Sequence, residues 1–141
     1  MSARSAKAHA RAMAVLAAVK ADERDKQNWA REVSEAQILA EIMARCGARA
    51  DCWIWRQNTG AGKFGDGRFV RYGVPGQADI MGLIYGRPAI PFAIEVKTNT
   101  GVLSDKQITW RNKWETSGGL YLLARSADEV VTWLDGLARG L

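Results

Sequence analysis

Histidine is nearly absent from this sequence, since His9 is the only one among its 141 residues. Cys/His zinc sites, nucleases that bind metal through histidine and hydrolases with a Ser-His-Asp triad all need histidine at the site, so these classes are excluded. The single histidine also lies in an Ala-rich N-terminal segment that we expect to be poorly ordered. Any catalysis by this chain therefore depends on carboxylates, lysine and a bound ion.

Cysteine and long apolar runs are also scarce. Cys46 and Cys52 are the only two cysteines, too few for a disulfide framework, so we predict reduced thiols and a cytoplasmic protein. No apolar run is long enough to span a membrane. Residues 13–19 are weakly hydrophobic, but no clear cleavage region follows them, so we do not predict a signal peptide. We divide the chain into a basic leader, residues 1–28, helical or disordered, and one domain, residues 29–141.

Acidic side chains are outnumbered, with 15 Asp and Glu against 20 Lys and Arg and a formal net charge of +5. A basic protein of this kind suits a polyanionic partner such as nucleic acid. The alternative is that the charge serves solubility alone.

The stretch 91–98 is apolar and β-branched and then changes abruptly to polar residues, which is typical of a buried strand that ends at a site. Side chains alternate along a strand, so Glu95 and Lys97 share one face. A second strand begins at Asp79, and a turn at residues 86–88 makes it antiparallel to the first, which sets Asp79 beside Glu95. Because buried charges are costly, we predict a divalent-metal site made of two carboxylates with a lysine as cationic partner.

The remaining pattern predicts an α/β fold. Ser34 caps a helix that runs to Cys46, and a second helix runs from Ser104 to about Ser117. Trp110 and Trp114 fall four residues apart on the second helix, which favours core packing over base stacking for them. Residues 52–58, 68–72 and 120–124 have strand character, and a capping box at residues 126–129 opens a last helix that reaches Leu134 or beyond. The predicted architecture is a mixed central sheet flanked by helices.

A glycine-rich segment follows the first strand. Residues 60–63 resemble part of a phosphate-binding loop, but Gln57 and Phe64 replace residues that the motif requires. We therefore predict a hairpin, with a solvated tip of no function as the alternative. Asp66 is the only acidic residue along this segment. Its basic and polar residues are suited to contact phosphates and unstacked bases: Arg56, Asn58, Lys63, Arg68 and Arg71.

Three motifs stand in order along the chain: Gly76-Gln77-Ala78-Asp79, Glu95-Val96-Lys97, and Gly101-Val102-Leu103-Ser104-Asp105-Lys106-Gln107. They resemble the motifs of the VRR-NUC (virus-type replication-repair nuclease) family of the PD-(D/E)xK nuclease superfamily, over residues 33–133. Ala78 replaces the proline of the family pattern, a residue that shapes the backbone and binds nothing. The resemblance implies a restriction-endonuclease-like core.

The resemblance also implies roles for residues of this chain. Asp79, Glu95 and the backbone carbonyl of Val96 would bind Mg²⁺ or Mn²⁺, and Lys97 would orient or activate the attacking water. A family glutamate that points into the metal site is best matched by Glu35, which would complete the site or reach a second ion.

Two of these assignments have alternatives. Glu35 also lies in the first turn of its helix, where a carboxylate stabilises the helix dipole, and Glu32 is the second candidate for the family position. The resemblance implies that Gln107 lies near the catalytic lysine, but Gln107 also completes a capping box with Ser104. We expect Gln107 to serve one role and not both, and we favour the catalytic one.

The function implied by the resemblance is that of a metal-dependent DNA endonuclease of phage or prophage type, acting on branched DNA such as four-way junctions. Symmetric nicking of a junction needs two copies, so we expect a homodimer. Candidate interface residues are the tryptophans in excess of what a small core needs, unless a monomer buries them all: Trp29, Trp53, Trp55 and Trp133. The alternative functions are a catalytically inert nucleic-acid-binding module of the same fold and a small sequence-specific restriction-type nuclease.

Overall fold

The computed structural model of the protein describes residues 2–23 and 33–140. Glu32 and Trp29 therefore lie outside the described residues. The helices and strands in chain order are α1 (Ala3–Glu23), α2 (Glu35–Cys46), β1 (Cys52–Arg56), β2 (Gly60–Lys63), β3 (Phe69–Tyr72), β4 (Ile80–Ile84), β5 (Ile90–Val96), α3 (Asp105–Thr116), β6 (Leu120–Ala124) and α4 (Ala127–Gly140).

The central sheet has four strands in the order β1-β4-β5-β6. Strands β1, β4 and β5 are antiparallel neighbours, whereas β5 and β6 are parallel. A parallel pair needs a crossover connection, and α3 supplies it. The predicted mixed α/β architecture, a mixed sheet flanked by helices, is confirmed, and so is the antiparallel pairing of the two site-bearing strands.

Side-chain caps set the helix boundaries. Ser34 forms a reciprocal capping box with Gln37 at the start of α2, and Gly47 ends that helix, as predicted. At α4, the Ser126 hydroxyl accepts from the Glu129 N–H, but the Glu129 carboxylate accepts from the Arg125 N–H instead of the Ser126 N–H. Of the capping box predicted at residues 126–129, the hydrogen bond to the Ser126 hydroxyl is confirmed. The second bond is wrong, because Glu129 accepts from the residue before the predicted donor.

Helix α1 packs closely against α4. A Cβ atom built on Gly136 would lie 2.9 Å from the Cβ of Ala12, and one built on Gly140 would lie 2.9 Å from the Cβ of Ala8. These small residues let the two helices approach, and Ala8, Ala12 and Leu16 join the main core. The N-terminal segment is thus helical over residues 3–23 and shares its core with the domain that we predicted to begin at residue 29.

His9 is held in this helix pair. Its Nδ1 atom accepts a hydrogen bond from the indole N–H of Trp133 at 3.2 Å, and the two rings meet edge to face. Burial lowers the pKa of His9. The expectation that His9 lies in a poorly ordered segment is therefore wrong.

The two faces of the sheet carry separate clusters. The larger cluster lies between the sheet and helices α1, α2 and α4 and includes Phe92, Ile94 and Trp133. The smaller cluster lies on the α3 side, where Trp110 and Trp114 pack, only partly buried, against Ala93 and Tyr121. Both tryptophans thus contribute to the core as predicted, while part of each residue stays exposed. No described helix is both long enough and apolar enough to cross a membrane.

Candidate active site

Asp79 and Glu95 come together because β4 and β5 are antiparallel. Ile80 pairs with Ile94, so continuing the register by one residue sets Asp79 opposite Glu95. The Val96 N–H donates to Asp79 Oδ2 at 2.9 Å and fixes that carboxylate at the end of the sheet. The predicted juxtaposition of the two carboxylates is confirmed.

Glu95 is almost fully buried, with 2% of its surface exposed. Its Oε1 atom accepts from Gln107 Nε2 at 2.5 Å and lies 3.3 Å from Lys97 Nζ. Among the described residues, nothing makes a hydrogen bond to its buried Oε2 atom. Burial, together with the charge of Asp79, raises the pKa of Glu95 to about 7.

Asp79 is partly buried beside it. Burial raises its pKa, and the Val96 N–H and the charge of Lys97 oppose that shift. The site therefore holds two carboxylates whose ionised forms both suffer from desolvation, and a cation between them would relieve that cost.

Lys97 lies just beyond the end of β5, with 14% of its side chain exposed. Its Nζ atom is 3.3 Å from Glu95 Oε1 and 4.0 Å from Glu35 Oε1. Glu35, in the first turn of α2, thus lies at the site, and it faces the lysine.

The carboxylates do not form a compact metal cage. No group of three His, Cys, Asp or Glu side chains in residues 2–23 and 33–140 is close enough to hold an ion. The pair Asp79 and Glu95 is present, but the ammonium of Lys97 lies near Glu35. A metal role for Glu35 and for the Val96 carbonyl stays a prediction.

Gln107 makes two contacts at once. Its Oε1 atom accepts from the Ser104 N–H at 2.9 Å, which completes the capping box of α3. Its Nε2 atom donates to Glu95. The expectation that the cap contact and a contact at the site exclude each other is wrong, because the acceptor and donor ends of the amide face different partners. A catalytic role for Gln107 stays a prediction.

Gly76 explains why the loop before Asp79 can reach α3. Its φ is +78°, and a Cβ atom at this position would lie 2.2 Å from the Lys106 carbonyl oxygen. Only glycine fits this conformation and this approach without strain. The contact brings the segment that carries Asp79 against the first turn of α3, which carries Gln107.

Arg125 is a residue of the site that the sequence did not indicate. Its guanidinium donates to the Gly101 carbonyl at 2.9 Å and also to the Thr98 carbonyl. Gly101 in turn packs on the Lys97 side chain, since a Cβ atom there would be 3.2 Å from Lys97 Cδ. Arg125 therefore holds the loop that supports the lysine. The contact spans distant parts of the chain, and no local pattern signals it.

Tyr121 is the second residue that sequence reasoning missed. It is buried in the cluster beside the site, and its hydroxyl has no hydrogen-bond partner among the described residues. Burial and the charge of Glu95 raise its pKa. The alternation of side chains along β6 could have indicated it. Tyr121 pairs with Ala93, and Ala93 lies on the same face of the sheet as Glu95.

The predicted hairpin is confirmed as β2 and β3, a separate two-stranded sheet. Ala61 pairs with Arg71 and Lys63 with Phe69, so one face carries two cations and an aromatic ring that is 61% exposed. Asp66 binds the guanidinium of Arg68 at 2.5 Å, and the Arg68 side chain is still 80% exposed, so its role in nucleic-acid binding stays a prediction.

The other two candidates, Arg56 and Asn58, are exposed between β1 and the hairpin. Arg56 pairs with Ile80, and the N–H of Gln57 donates to the Asp79 carbonyl at 2.7 Å, so this end of β1 lies beside the segment that carries Asp79.

The tryptophans divide between core and surface. Trp133 is 0% exposed and Trp53 is 57% exposed, while Trp55 packs against the smaller cluster. Trp133 is therefore wrong as an interface candidate, and Trp53 is the one that remains on the described surface.

Comparison with known proteins adds no relative: no protein-family model, no curated protein and no solved structure matches the chain. Fold and site define a class only, a mixed α/β protein whose central sheet ends in a buried and a partly buried carboxylate beside a lysine.

Proposed function

We propose that this protein is a metal-dependent endodeoxyribonuclease with a restriction-endonuclease-like core of the VRR-NUC type. The observation that carries the proposal is the buried, unpartnered Oε2 atom of Glu95 beside Asp79 within the described residues. A carboxylate oxygen withdrawn from water without a partner is costly, and hard divalent cations bind such oxygens readily.

In this proposal Asp79 and Glu95 bind Mg²⁺ or Mn²⁺, with the Val96 carbonyl as a further ligand and Glu35 available for a second ion. A bound divalent ion supplies polarisation of the phosphoryl oxygen and a more acidic water. Gln107 holds Oε1 of Glu95, which leaves Oε2 for the ion.

Lys97 has a separate task. Its ammonium, held within 3.3 Å of Glu95 and largely shielded from solvent, is suited to orient the attacking water and to offset charge that develops on the phosphate. Glu35, at 4.0 Å, keeps that ammonium directed toward the site.

DNA binding is supported by the net charge of +5 and by the exposed face of the hairpin with Lys63, Phe69 and Arg71. We propose branched DNA as substrate and a homodimer as the active form. Strand β1 lies at an edge of the central sheet and presents Trp53, so a second copy could contact it there.

One observation favours an inert nucleic-acid-binding module as second candidate, namely the lack of a three-residue metal cluster in the described part of the chain. The two candidates differ in cleavage and in metal binding. An inert module binds DNA without either.

The test is a cleavage panel of duplex, single-stranded, flap and four-way DNA with Mg²⁺ or Mn²⁺. Wild type should cut at least one branched form, Asp79→Ala and Lys97→Ala should abolish cleavage, and Lys7→Ala, an exposed change on α1, should leave it unchanged. Cleavage by Lys97→Ala at the wild-type rate contradicts the mechanism. Sequence-defined cutting of ordinary duplex would indicate the restriction-type alternative.

A further inference from the structure

An open groove lies between α3 and the loop that follows the hairpin. Val74 and Pro75 form one wall, Thr109 and Trp110 form the other, and the volume of the groove is about 360 Å³. That volume lies in the range of pockets that hold small organic ligands.

The apolar surfaces of the groove are those of Val74, Pro75 and Trp110, and the Trp110 ring is supported by its neighbours. Val74 is 53% exposed, so about half of its surface is open to a ligand. The Trp110 ring stacks on Trp114, with centroids 5.3 Å apart and planes 14° apart, and it also packs near Tyr121. An indole braced in this way is a platform on which a flat aromatic group can stack.

The rim is cationic. Lys106 and Lys113 border the groove, against one carboxylate, that of Asp105. An aromatic group that carries negative charge therefore complements the groove better than a neutral one.

The groove also adjoins the candidate site. Lys106 directly precedes Gln107, which is bonded to Glu95, and Val74 follows the hairpin by two residues. A strand that crosses the hairpin toward the carboxylates would pass this groove.

We propose that the groove binds one unpaired nucleotide, with the base against Trp110 and Val74 and the phosphates near Lys106 and Lys113. This inference rests on the proposed function and names its substrate class more closely, as DNA with an unpaired segment. A base inside a duplex has both faces covered by its neighbours, so it cannot enter. An unstacked base brings a free face and a charged backbone together.

The test compares the affinities of protein variants for DNA variants, measured by fluorescence polarisation. The buffer contains Ca²⁺, which we expect to support binding with little hydrolysis. The ligands are a blunt duplex, the same duplex with a single-stranded flap, and that flap with abasic residues. The variants are Val74→Asp and the matched control Tyr85→Asp, which adds the same charge to a residue of similar exposure, 58%, at the opposite end of β4 from Asp79.

We expect Val74→Asp to weaken binding of the base-bearing flap by about tenfold more than binding of the abasic flap or the blunt duplex, in line with the loss of one stacked base. Tyr85→Asp should change none of the three. Equal weakening of all three ligands by Val74→Asp would indicate general repulsion and overturn the inference, as would no change at all.

The same experiment separates the two failures. If wild type cuts DNA in Mg²⁺ but Val74→Asp weakens binding equally with and without the flap bases, only the groove assignment fails. If wild type neither binds nor cuts any of the ligands, the proposed function fails and the groove assignment fails with it.

Discussion

Replacing Glu95 with glutamine should stabilise the folded protein at alkaline pH. Glu95 is 2% exposed, and burial with the charge of Asp79 raises its pKa from 4.5 to about 7. The folded state therefore binds the proton more tightly than the unfolded state. The stabilising contribution of the protonated form is complete below the unfolded pKa and is lost as pH rises through the folded pKa.

The size of this effect follows from the shift. A shift from 4.5 to about 7 corresponds to roughly 3 kcal/mol lost once Glu95 is fully ionised. The glutamine side chain of the variant cannot ionise, and its carbonyl can still accept from Gln107. The variant should thus be more stable than wild type by roughly 2 to 3 kcal/mol at about pH 8.5. Most of that difference should disappear at about pH 5.

Urea unfolding at both pH values measures this directly. The matched control is Glu41→Gln on α2, whose exposed carboxylate pairs with Arg45. Because exposed ion pairs contribute little, this control should leave the free energy of unfolding nearly unchanged at either pH. A Glu95→Gln variant that is less stable than wild type at the higher pH, or a difference that does not change with pH, would refute the reasoning.

Three further predictions concern other parts of the molecule. Arg125→Ala should slow cleavage about tenfold or more while DNA affinity stays unchanged, because it frees the loop under Lys97 and misplaces that catalytic group. Measuring kcat and KM for this variant and for Arg125→Lys tests the prediction, and an effect on KM alone speaks against it. Trp133→Ala should lower the free energy of unfolding by about 3 to 5 kcal/mol, since it empties the core between α1 and the sheet; a urea-derived loss below about 1 kcal/mol would contradict the packing of α1. Lys63→Ala and Arg71→Ala should each reduce the slope of log affinity against log salt by about one for any DNA sequence, whereas a loss confined to one sequence would indicate base readout.

Local signals predicted much of the fold. The bounds of α2 followed from Ser34 and Gly47, and the turn at residues 86–88 placed Asp79 opposite Glu95 from the sequence alone. Both features depend on residues close in sequence, where capping and turn chemistry act.

Contacts between distant segments were not predictable in this way. Helix α1 has no broad apolar stripe, and it joins the core through alanines that fit against Gly136 and Gly140. Arg125 reaches carbonyls more than twenty residues away. The contact of Gln107 with Glu95 was not predictable from the capping motif, because the motif does not say how far α3 lies from β5.

The central claim is that Asp79 and Glu95 together bind a divalent ion, and titration calorimetry with Mn²⁺ tests it without knowledge of the DNA substrate. Wild type should bind Mn²⁺ at about pH 8, and more weakly as pH falls below about 7 because Glu95 then takes up a proton. Asp79→Asn and Glu95→Gln should lose this binding, and Glu41→Gln should keep it. Mn²⁺ binding that survives in both site variants, or that is absent from wild type, would contradict the claim.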